Sequence, residues 1–176
     1  LRTADHQEEL WKGLQGDDPE GFRRPFDALV LSEVARTDRI KPWMTPEERG
    51  AMVETASRYL ESVTDYRGFD EKEGWRHGVA HGSDWLMQLA LNPALDRAQL
   101  DRMLDAIGKQ VVPASPHAYV FGEPGRLARP VLFGAQSHRA VVAVAPGVPA
   151  SSVPKDARRL QQDIPITSQV RELDAT

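Results

Sequence analysis

Apolar residues recur every three to four positions along most of the chain, which is the period of an amphipathic α-helix. One run contains Phe26, Leu29, Val30 and Val34, and Pro25 before them suits the first turn of a helix. A second apolar face is formed by Met52, Ala56, Tyr59, Leu60 and Val63. Before residue 134 no segment alternates with the period of two that predicts a half-buried strand. The pattern therefore predicts a helical protein.

Helix starts are marked three times by a side-chain acceptor followed three residues later by Glu or Gln, which together form a capping box. The pairs are Thr45 with Glu48, Asp70 with Glu73, and Asp96 with Gln99. The second pair predicts a long helix from Asp70 to about Leu91. A final short helix is predicted from Glu123, with Pro130 kinking or ending it.

The spacing of these helices predicts an all-α fold. The segments near Phe26 and Lys72 start about 45 residues apart, and each is followed by a second helix, which is the period of HEAT and armadillo repeats. We therefore expect a HEAT/armadillo-like array of helical hairpins. Because the two units share little sequence, an irregular helical bundle is the alternative.

The two ends of the chain differ in composition from its middle. All 12 aromatic residues lie between Trp11 and Phe133, and the segment after Gly134 is rich in Pro and Ala. Such a segment buries too little apolar surface to offset the entropy of ordering it. We expect a helical domain over residues 1–133, with its core at about 22–133. Residues 134–176 are expected to be a disordered tail or a non-native reading frame, and the first residue, Leu1, fits a fragment.

Charge and composition narrow the classes of function. Lys and Arg number 22 against 26 Asp and Glu, so the net charge is -4, and this argues against nucleic-acid binding through phosphate neutralisation. No apolar run approaches the roughly 20 residues that span a bilayer. Cysteine is absent, which excludes disulfides, thiolate metal sites and a cysteine nucleophile. We expect a cytoplasmic protein that binds neither nucleic acid nor membrane.

The segment from Asp65 to Trp85 carries the richest chemistry. On the predicted helix, one arc of about 80° gathers Glu73, His77, His81, Asp84 and Gln88, at about 100° per residue. Two His one turn apart, followed by an Asp, can supply three ligands to a divalent metal and leave one position open. A ligand-binding or structural hydrogen-bonding role for the same stripe is favoured over a metal site, and a helix face in water is a further interpretation.

Two functions from different classes follow from this segment. The favoured one is a binding module whose polar groove receives a protein segment or a small anionic ligand; its lining is Arg67, Asp70, Glu73, His77, His81 and Asp84. The alternative is a metal-dependent hydrolase in which His77, His81 and Asp84 hold zinc, manganese or iron. In that case Glu73 or Asp70 would act as general base. An ion pair of Arg67 with Asp65 or Asp70 that only fixes the loop is a third interpretation.

Glycine occurs at every fourth position of the same segment, at Gly74, Gly78 and Gly82. Each interior glycine costs a helix about 0.8–1 kcal/mol relative to Ala. We therefore expect something to lie against this strip, with a tightly packed neighbouring helix as the favoured interpretation. Further along, Glu123 and Arg126 are one turn apart, which predicts an ion pair within the last helix.

Several strings resemble a bacterial family known as the domain of unknown function 2785 family. They are RPFDALVLSEV (24–34), DYRGFD (65–70), GWRHGVAHGSD (74–84) and EPGRLA (123–128), in the family's order. The resemblance covers about 22–132 and implies a helical-repeat-like domain with no established activity and no assigned catalytic residue. Family members look longer at both ends, and the Pro- and Ala-rich tail stands where they continue with further helix.

Overall fold

The computed structural model describes residues 4–112 and 117–137. Within them the chain forms six helices and one two-stranded antiparallel hairpin. The helices are α1 (Ala4–Gln15), α2 (Arg23–Ile40), α3 (Pro46–Ser62), α4 (Gly78–Ala90), α5 (Arg97–Val111) and α6 (Glu123–Ser137), and the strands are β1 (Phe69–Asp70) and β2 (Gly74–Trp75). The fold is all-α, as the periodicity predicts, and it is an irregular helical bundle, which was the alternative to a regular array of helical hairpins. None of these helices is long and apolar enough to cross a membrane.

Two of the predicted capping boxes are confirmed. Thr45 Oγ1 accepts from the backbone N–H of Glu48 at 3.2 Å, and the carboxylate of Glu48 accepts from the N–H of Thr45 at 2.7 Å. Asp96 and Gln99 form the same reciprocal pair at the start of α5. Local hydrogen bonds satisfy the first N–H groups of both helices, so these two starts depend little on tertiary contacts.

The helix start predicted at Asp70 and Glu73 is wrong. Asp70 opens a hairpin turn instead, in which its Oδ1 accepts from the N–H groups of Lys72 at 2.9 Å and Glu73 at 3.1 Å. Gly74 has a φ of +84°, which a right-handed helix does not allow, and it pairs with Asp70 across the hairpin. The helix α4 begins only at Gly78. Glu73 therefore shares no helical face with the two histidines.

One layer of the bundle contains α2, α4 and α6 side by side. The ring of Phe26 at the start of α2 contacts His81 near the start of α4, and Arg39 near the end of α2 donates to Gln88 near the end of α4. These two helices therefore run parallel. Arg126 near the start of α6 pairs with Asp84 in the middle of α4, and Gly134 near the end of α6 lies against Ala90 at the end of α4, so α6 runs in the same direction and the three helices start at one end of the layer.

A second layer contains α3 and α5. Arg102 of α5 contacts Glu54 and Glu61 of α3, and Lys109 two turns later contacts Glu61 as well. The side chain of Gln110 closes the end of this pair by donating to the backbone carbonyl of Leu60 at 2.6 Å. Two consecutive helix pairs thus lie in two layers, with the hairpin inserted between them.

The predicted glycine strip is confirmed in part. Gly82 lies against α3, where a Cβ would come within 2.9 Å of a ring carbon of Tyr59 and 3.1 Å of Leu60 Cδ1. Gly78 lies against the end of the same helix, where a Cβ would come within 3.6 Å of the Tyr59 hydroxyl and 3.2 Å of Val63, the residue directly after α3. Tight packing between helices therefore explains these two glycines. Gly74 belongs to the hairpin and meets nothing within 4 Å.

A buried carboxylate ties the two layers together at the opposite end. Asp38 of α2 is 1% exposed and accepts hydrogen bonds from the backbone N–H groups of Trp43 and Met44. Its second oxygen accepts from Arg49 Nε of α3 at 2.9 Å and from Asn92 Nδ2 after α4 at 2.8 Å. The carboxylate thus joins α2 to the start of α3 and to the end of α4.

The last helix runs further than expected. Pro130 lies inside α6 without ending it, and the helix continues through Gly134 to Ser137. Gly134 is buried, with Ala90 Cβ at 3.6 Å from the position of a Cβ. The first four residues assigned to the tail therefore belong to the helical domain. The remainder of that predicted tail, residues 138–176, lies outside the described residues.

Candidate functional site

The candidate site lies where α2, α4 and α6 begin, and the hairpin leads directly into it. His77 links β2 to α4 and has left-handed backbone angles, with φ 56° and ψ 38°. Its ring is stacked on the indole of Trp75, with ring centroids 4.1 Å apart and planes 8° from parallel. A non-glycine residue in this conformation is uncommon and costs on the order of 1–3 kcal/mol, and such residues cluster at functional sites.

The two histidines lie together, as the sequence predicts. His77 and His81 have ring centroids 5.9 Å apart at an interplanar angle of 78°, and the ring of Phe26 lies 5.5 Å from that of His81. The Nδ1 atoms of both histidines are buried and have no hydrogen-bond partner in the described part of the chain. Both imidazoles are therefore held mainly by contacts with rings.

Burial lowers the pKa of both imidazoles and so favours their neutral form. The net pKa of His81 is about 4, because burial outweighs the opposite effect of Asp84, and His77 and Arg126 add smaller lowering effects. Burial also lowers the pKa of His77 below its ordinary value. A neutral imidazole has one N–H donor and one acceptor nitrogen. Because Nδ1 is buried in both rings, only Nε2 of each is left to donate to or accept from a ligand.

Asp84 faces a partner from the last helix. Its carboxylate forms an ion pair with the guanidinium of Arg126, and the Asp84 side chain is 13% exposed. The predicted ion pair of Glu123 with Arg126 is wrong, because Glu123 is buried and accepts instead from the backbone N–H of Phe121 at 2.9 Å. The sequence separates Asp84 from Arg126 by 42 positions, so only the packing of α6 on α4 brings them together.

The arrangement does not favour the metal-dependent hydrolase. Asp84, the proposed third ligand, is already engaged by Arg126. Across residues 4–112 and 117–137, no group of three or more His, Asp or Glu side chains is placed to hold a metal ion. His77 and His81 are two neighbouring imidazoles without a third protein ligand beside them in these ranges.

Aromatic side chains surround the histidines and remain half-exposed. Phe26, Phe69, Trp75 and Phe121 are between 41% and 48% exposed, although each contacts another ring of the group. Trp75 lies 4.9 Å from Phe69 and 5.7 Å from Phe121 by ring centroids. We call this continuous patch the aromatic–imidazole surface; it consists of Phe26, Phe69, Trp75, His77, His81 and Phe121.

The hairpin and the segment before α6 hold the patch in place. The carbonyl of Gly68 accepts from the N–H of Arg76 at 2.9 Å, which continues the pairing of the hairpin. The ring of Phe121 lies against Gly68, where any side chain would collide with it. Glycine at this position thus allows a residue from the end of the domain to cover the hairpin.

The other three predicted site residues serve the local structure. The guanidinium of Arg67 binds the carboxylate of Asp65 and also donates to the carbonyl of Pro19 at 3.3 Å, which fixes the loop. Asp70 closes the hairpin turn, and Glu73 forms an ion pair with Arg76. None of the three belongs to the aromatic–imidazole surface.

The sequence does not predict that these aromatic residues lie together in an exposed patch. Periodicity places Trp75 on the buried, apolar side of a long helix, whereas it is 45% exposed because the hairpin replaces that helix. It likewise places Phe26 on a core face, and this ring is also 45% exposed. The string EPGRLA (123–128), which follows Phe121, predicts helix α6. Nothing in the sequence indicates that this helix packs against α4.

Comparison with known proteins places the chain in a family. Residues 10–142 match the family described as "Protein of unknown function (DUF2785)", which is more than half of the chain. The chain therefore belongs to this family, as the strings in its sequence indicate. No curated protein and no solved structure matches the chain significantly.

Proposed function

We propose that this domain is a protein-binding module and that its docking face is the aromatic–imidazole surface. The observation that carries the proposal is the half-exposure of four aromatic side chains in one connected patch. Aromatic residues and Arg are enriched at the centres of protein interfaces, where they supply much of the binding energy. Arg126 and the two neutral imidazoles add hydrogen-bonding groups at the same place.

The tight packing beside His77 favours a protein segment over a small anionic ligand. The space beside His77, bounded by Arg67, Tyr119 and Glu123, has no room for a water molecule. Small-molecule sites are ordinarily concave and of about 300–1,000 Å³. A shallow surface of rings suits instead a partner that lays its own side chains across it.

The backbone of His77 supports a functional role for its side chain. Gly or Asn would adopt the left-handed conformation at φ 56° with less strain than His. The fold therefore carries an avoidable strain at the centre of the patch. Strain of this kind points to a residue whose side chain is needed where it lies.

The arrangement of the helices also suits a binding module. Two consecutive helix pairs in two layers support a helical-repeat architecture of the HEAT or armadillo kind, which we include in the proposal. Repeat proteins of this type present extended surfaces on which partners dock. The parallel starts of α2, α4 and α6 would form one edge of that surface.

A peptide-display selection tests the proposal even though the partner is unidentified. Random linear peptides would be selected on the purified chain, and the dissociation constants of enriched peptides measured for the wild type and for variants. Trp75→Ala removes a half-exposed ring, whereas His77→Asn removes the imidazole but tolerates the same backbone. The matched control is Ile40→Ala, because Ile40 is 61% exposed and lies 14 residues, or about 20 Å, along α2 from Phe26.

We expect Trp75→Ala to weaken binding by about 30-fold, since truncating a central aromatic residue costs about 2 kcal/mol or more. His77→Asn should weaken it as well, and Ile40→Ala should not change it. Failure to enrich any peptide, or equal affinity for all four proteins, would contradict the proposal. One equivalent of zinc, manganese or iron, lost in the double variant His77→Ala, His81→Ala, would instead favour the hydrolase.

A further inference from the structure

The aromatic–imidazole surface is small compared with the interfaces between folded proteins. Its Phe and Trp side chains are 41–48% exposed. An aromatic side chain buries about 150–250 Å² in full, so these four expose roughly 270–450 Å² between them. A stable interface between two folded proteins takes about 800 Å² from each partner. The surface therefore suits a short peptide, and one that loses little conformational entropy on binding.

The rings follow one another in contact across the surface. Trp75 lies 4.1 Å from His77, and His77 lies 5.9 Å from His81, between ring centroids. Phe26 follows at 5.5 Å from His81. A peptide in the extended polyproline II conformation advances about 3.1 Å per residue, so about six residues suffice to reach from the first ring to the last.

The polar groups of this row are hydrogen-bond donors. Nδ1 of His77 and of His81 is buried without a partner, so Nε2 of each ring is the nitrogen left to meet a ligand. A buried N–H without an acceptor is rarer in folded proteins than a buried acceptor without a donor. We therefore assign the proton to Nε2 of both rings. Trp75, which is 45% exposed, adds an indole N–H, which can only donate.

Three carboxylates beside the surface are already engaged. Asp84 forms an ion pair with Arg126, and Glu73 forms one with Arg76. Glu123 is buried and accepts from a backbone N–H. The histidines and Trp75 therefore offer a ligand apolar rings and N–H donors, while these neighbouring acceptors are occupied.

We infer, on the basis of the proposed function, that the peptide bound by this surface is a proline-rich segment in the polyproline II conformation. Proline has no N–H to donate, and a polyproline II segment makes no internal hydrogen bonds, so its carbonyl oxygens are free to accept. Its backbone is preformed, and aromatic surfaces are its usual receptors.

Two other forms of peptide match the surface less well. A partner helix uses its carbonyls internally except in its last turn, so it would leave most of the imidazole and indole donors unmet. A partner strand would bring its own N–H groups and requires a strand edge to pair with. The strands β1 and β2 have only two residues each.

The direct test is an NMR titration of the whole chain with decaproline. The indole N–H signal of Trp75 should shift progressively and saturate, whereas that of Trp85, which is 0% exposed, should not move. The matched peptide has glycine at every second position, which makes its backbone flexible, and we expect it to bind at least about tenfold more weakly. An unmoved Trp75 signal, or equal dissociation constants for the two peptides, overturns the inference.

Two variants locate the bound peptide. Trp75→Ala should weaken the binding of decaproline at least about tenfold, and Ile40→Ala, on the exposed far end of α2, should leave it unchanged. Decaproline that binds a folded Trp75→Ala variant as well as the wild type would place the peptide elsewhere and contradict the inference. If Trp75→Ala fails to fold, the titration of the wild type decides alone.

The display selection separates this inference from the proposed function. Enriched peptides with repeated prolines would support both. Enriched peptides that depend on Trp75 but carry apolar residues every three to four positions and no proline would overturn the inference and leave the protein-binding module standing. If neither decaproline nor any selected peptide binds, both are wrong.

Discussion

Asp38→Asn hardly changes the size of the side chain, yet we predict that it strongly lowers the stability of the folded protein. The carboxylate accepts from four groups on three segments of the chain: the N–H groups of Trp43 and Met44, the guanidinium of Arg49 and the amide of Asn92. An Asn side chain offers one oxygen and turns an NH₂ group toward these donors. Arg49, whose side chain is only 7% exposed, would be left as a buried charge without a counter-ion.

The size of the effect follows from that uncompensated charge. Breaking a buried ion pair by removing one partner costs about 3–5 kcal/mol. A domain of this size loses about 3–4 °C in melting temperature per kcal/mol, so the expected fall is roughly 10–20 °C. The loss should appear as a lower urea concentration at the midpoint of unfolding. The slope of the unfolding free energy against urea concentration should not change.

The pH dependence of the same variant gives an independent check. Burial raises the pKa of Asp38, but the hydrogen bonds from Arg49 and from the backbone of Trp43 and Met44 outweigh it, so the net pKa is below the ordinary value. A depressed carboxyl pKa stabilises the folded state above the unfolded pKa of about 3.9, and that contribution is lost as the pH falls through the folded pKa. The difference in the free energy of unfolding between the wild type and Asp38→Asn should therefore decrease below about pH 4.

Urea unfolding followed by circular dichroism at neutral and acidic pH measures both effects. The matched control is Glu33→Gln, since Glu33 is 59% exposed and pairs with Arg36 on the surface of the same helix. The control should stay within about 0.5 kcal/mol of the wild type. A loss below about 1 kcal/mol for Asp38→Asn at pH 7 would refute the reasoning.

Two further predictions concern the packing and protonation of α4. Gly82→Ala should lower the free energy of unfolding by about 1–3 kcal/mol, because its Cβ would crowd Tyr59, whereas Gly108→Ala in open space on α5 should raise it by up to about 1 kcal/mol. Urea unfolding of both variants checks this pair, and changes of the same sign would contradict it. Burial lowers the pKa of His81 to about 4, below its unfolded value of about 6.5, so the folded state binds fewer protons and loses stability as the pH falls between these values. His81→Asn should flatten this part of the stability profile, and an unchanged slope between about pH 6.5 and 4.5 would show that burial of His81 is not its cause.

The hairpin shows why one helix start could not be predicted from local pattern. Asp70 followed by Glu73 has the spacing of a capping box, and Asp70 does accept backbone N–H groups, but in a tight turn. The same side-chain chemistry serves a helix cap and an Asx turn, so the spacing does not distinguish them. The choice is made by Gly74 at φ +84° and by Phe121, which packs on the hairpin from much later in the chain.

The candidate site is predictable only where it is local. His77 and His81 share the start of one helix, and the sequence places them together. Their surroundings come from distant segments: Phe26 from α2, Phe121 and Arg126 from the region of α6. No periodicity relates these residues to the histidines, so neither the exposure of the rings nor the pairing of Asp84 follows from the sequence.

The sequence by itself determined the class of fold, the two capping boxes and the membership of a family, because these rest on periodicity, on hydrogen bonds within four residues and on strings of residues. Tertiary structure alone decided the rest. It placed Asp38 among donors from three segments and arranged four rings around two imidazoles. The physical reason is that burial and charge pairing depend on which surfaces meet, and contacts across dozens of residues leave no signature in the local pattern of a single chain.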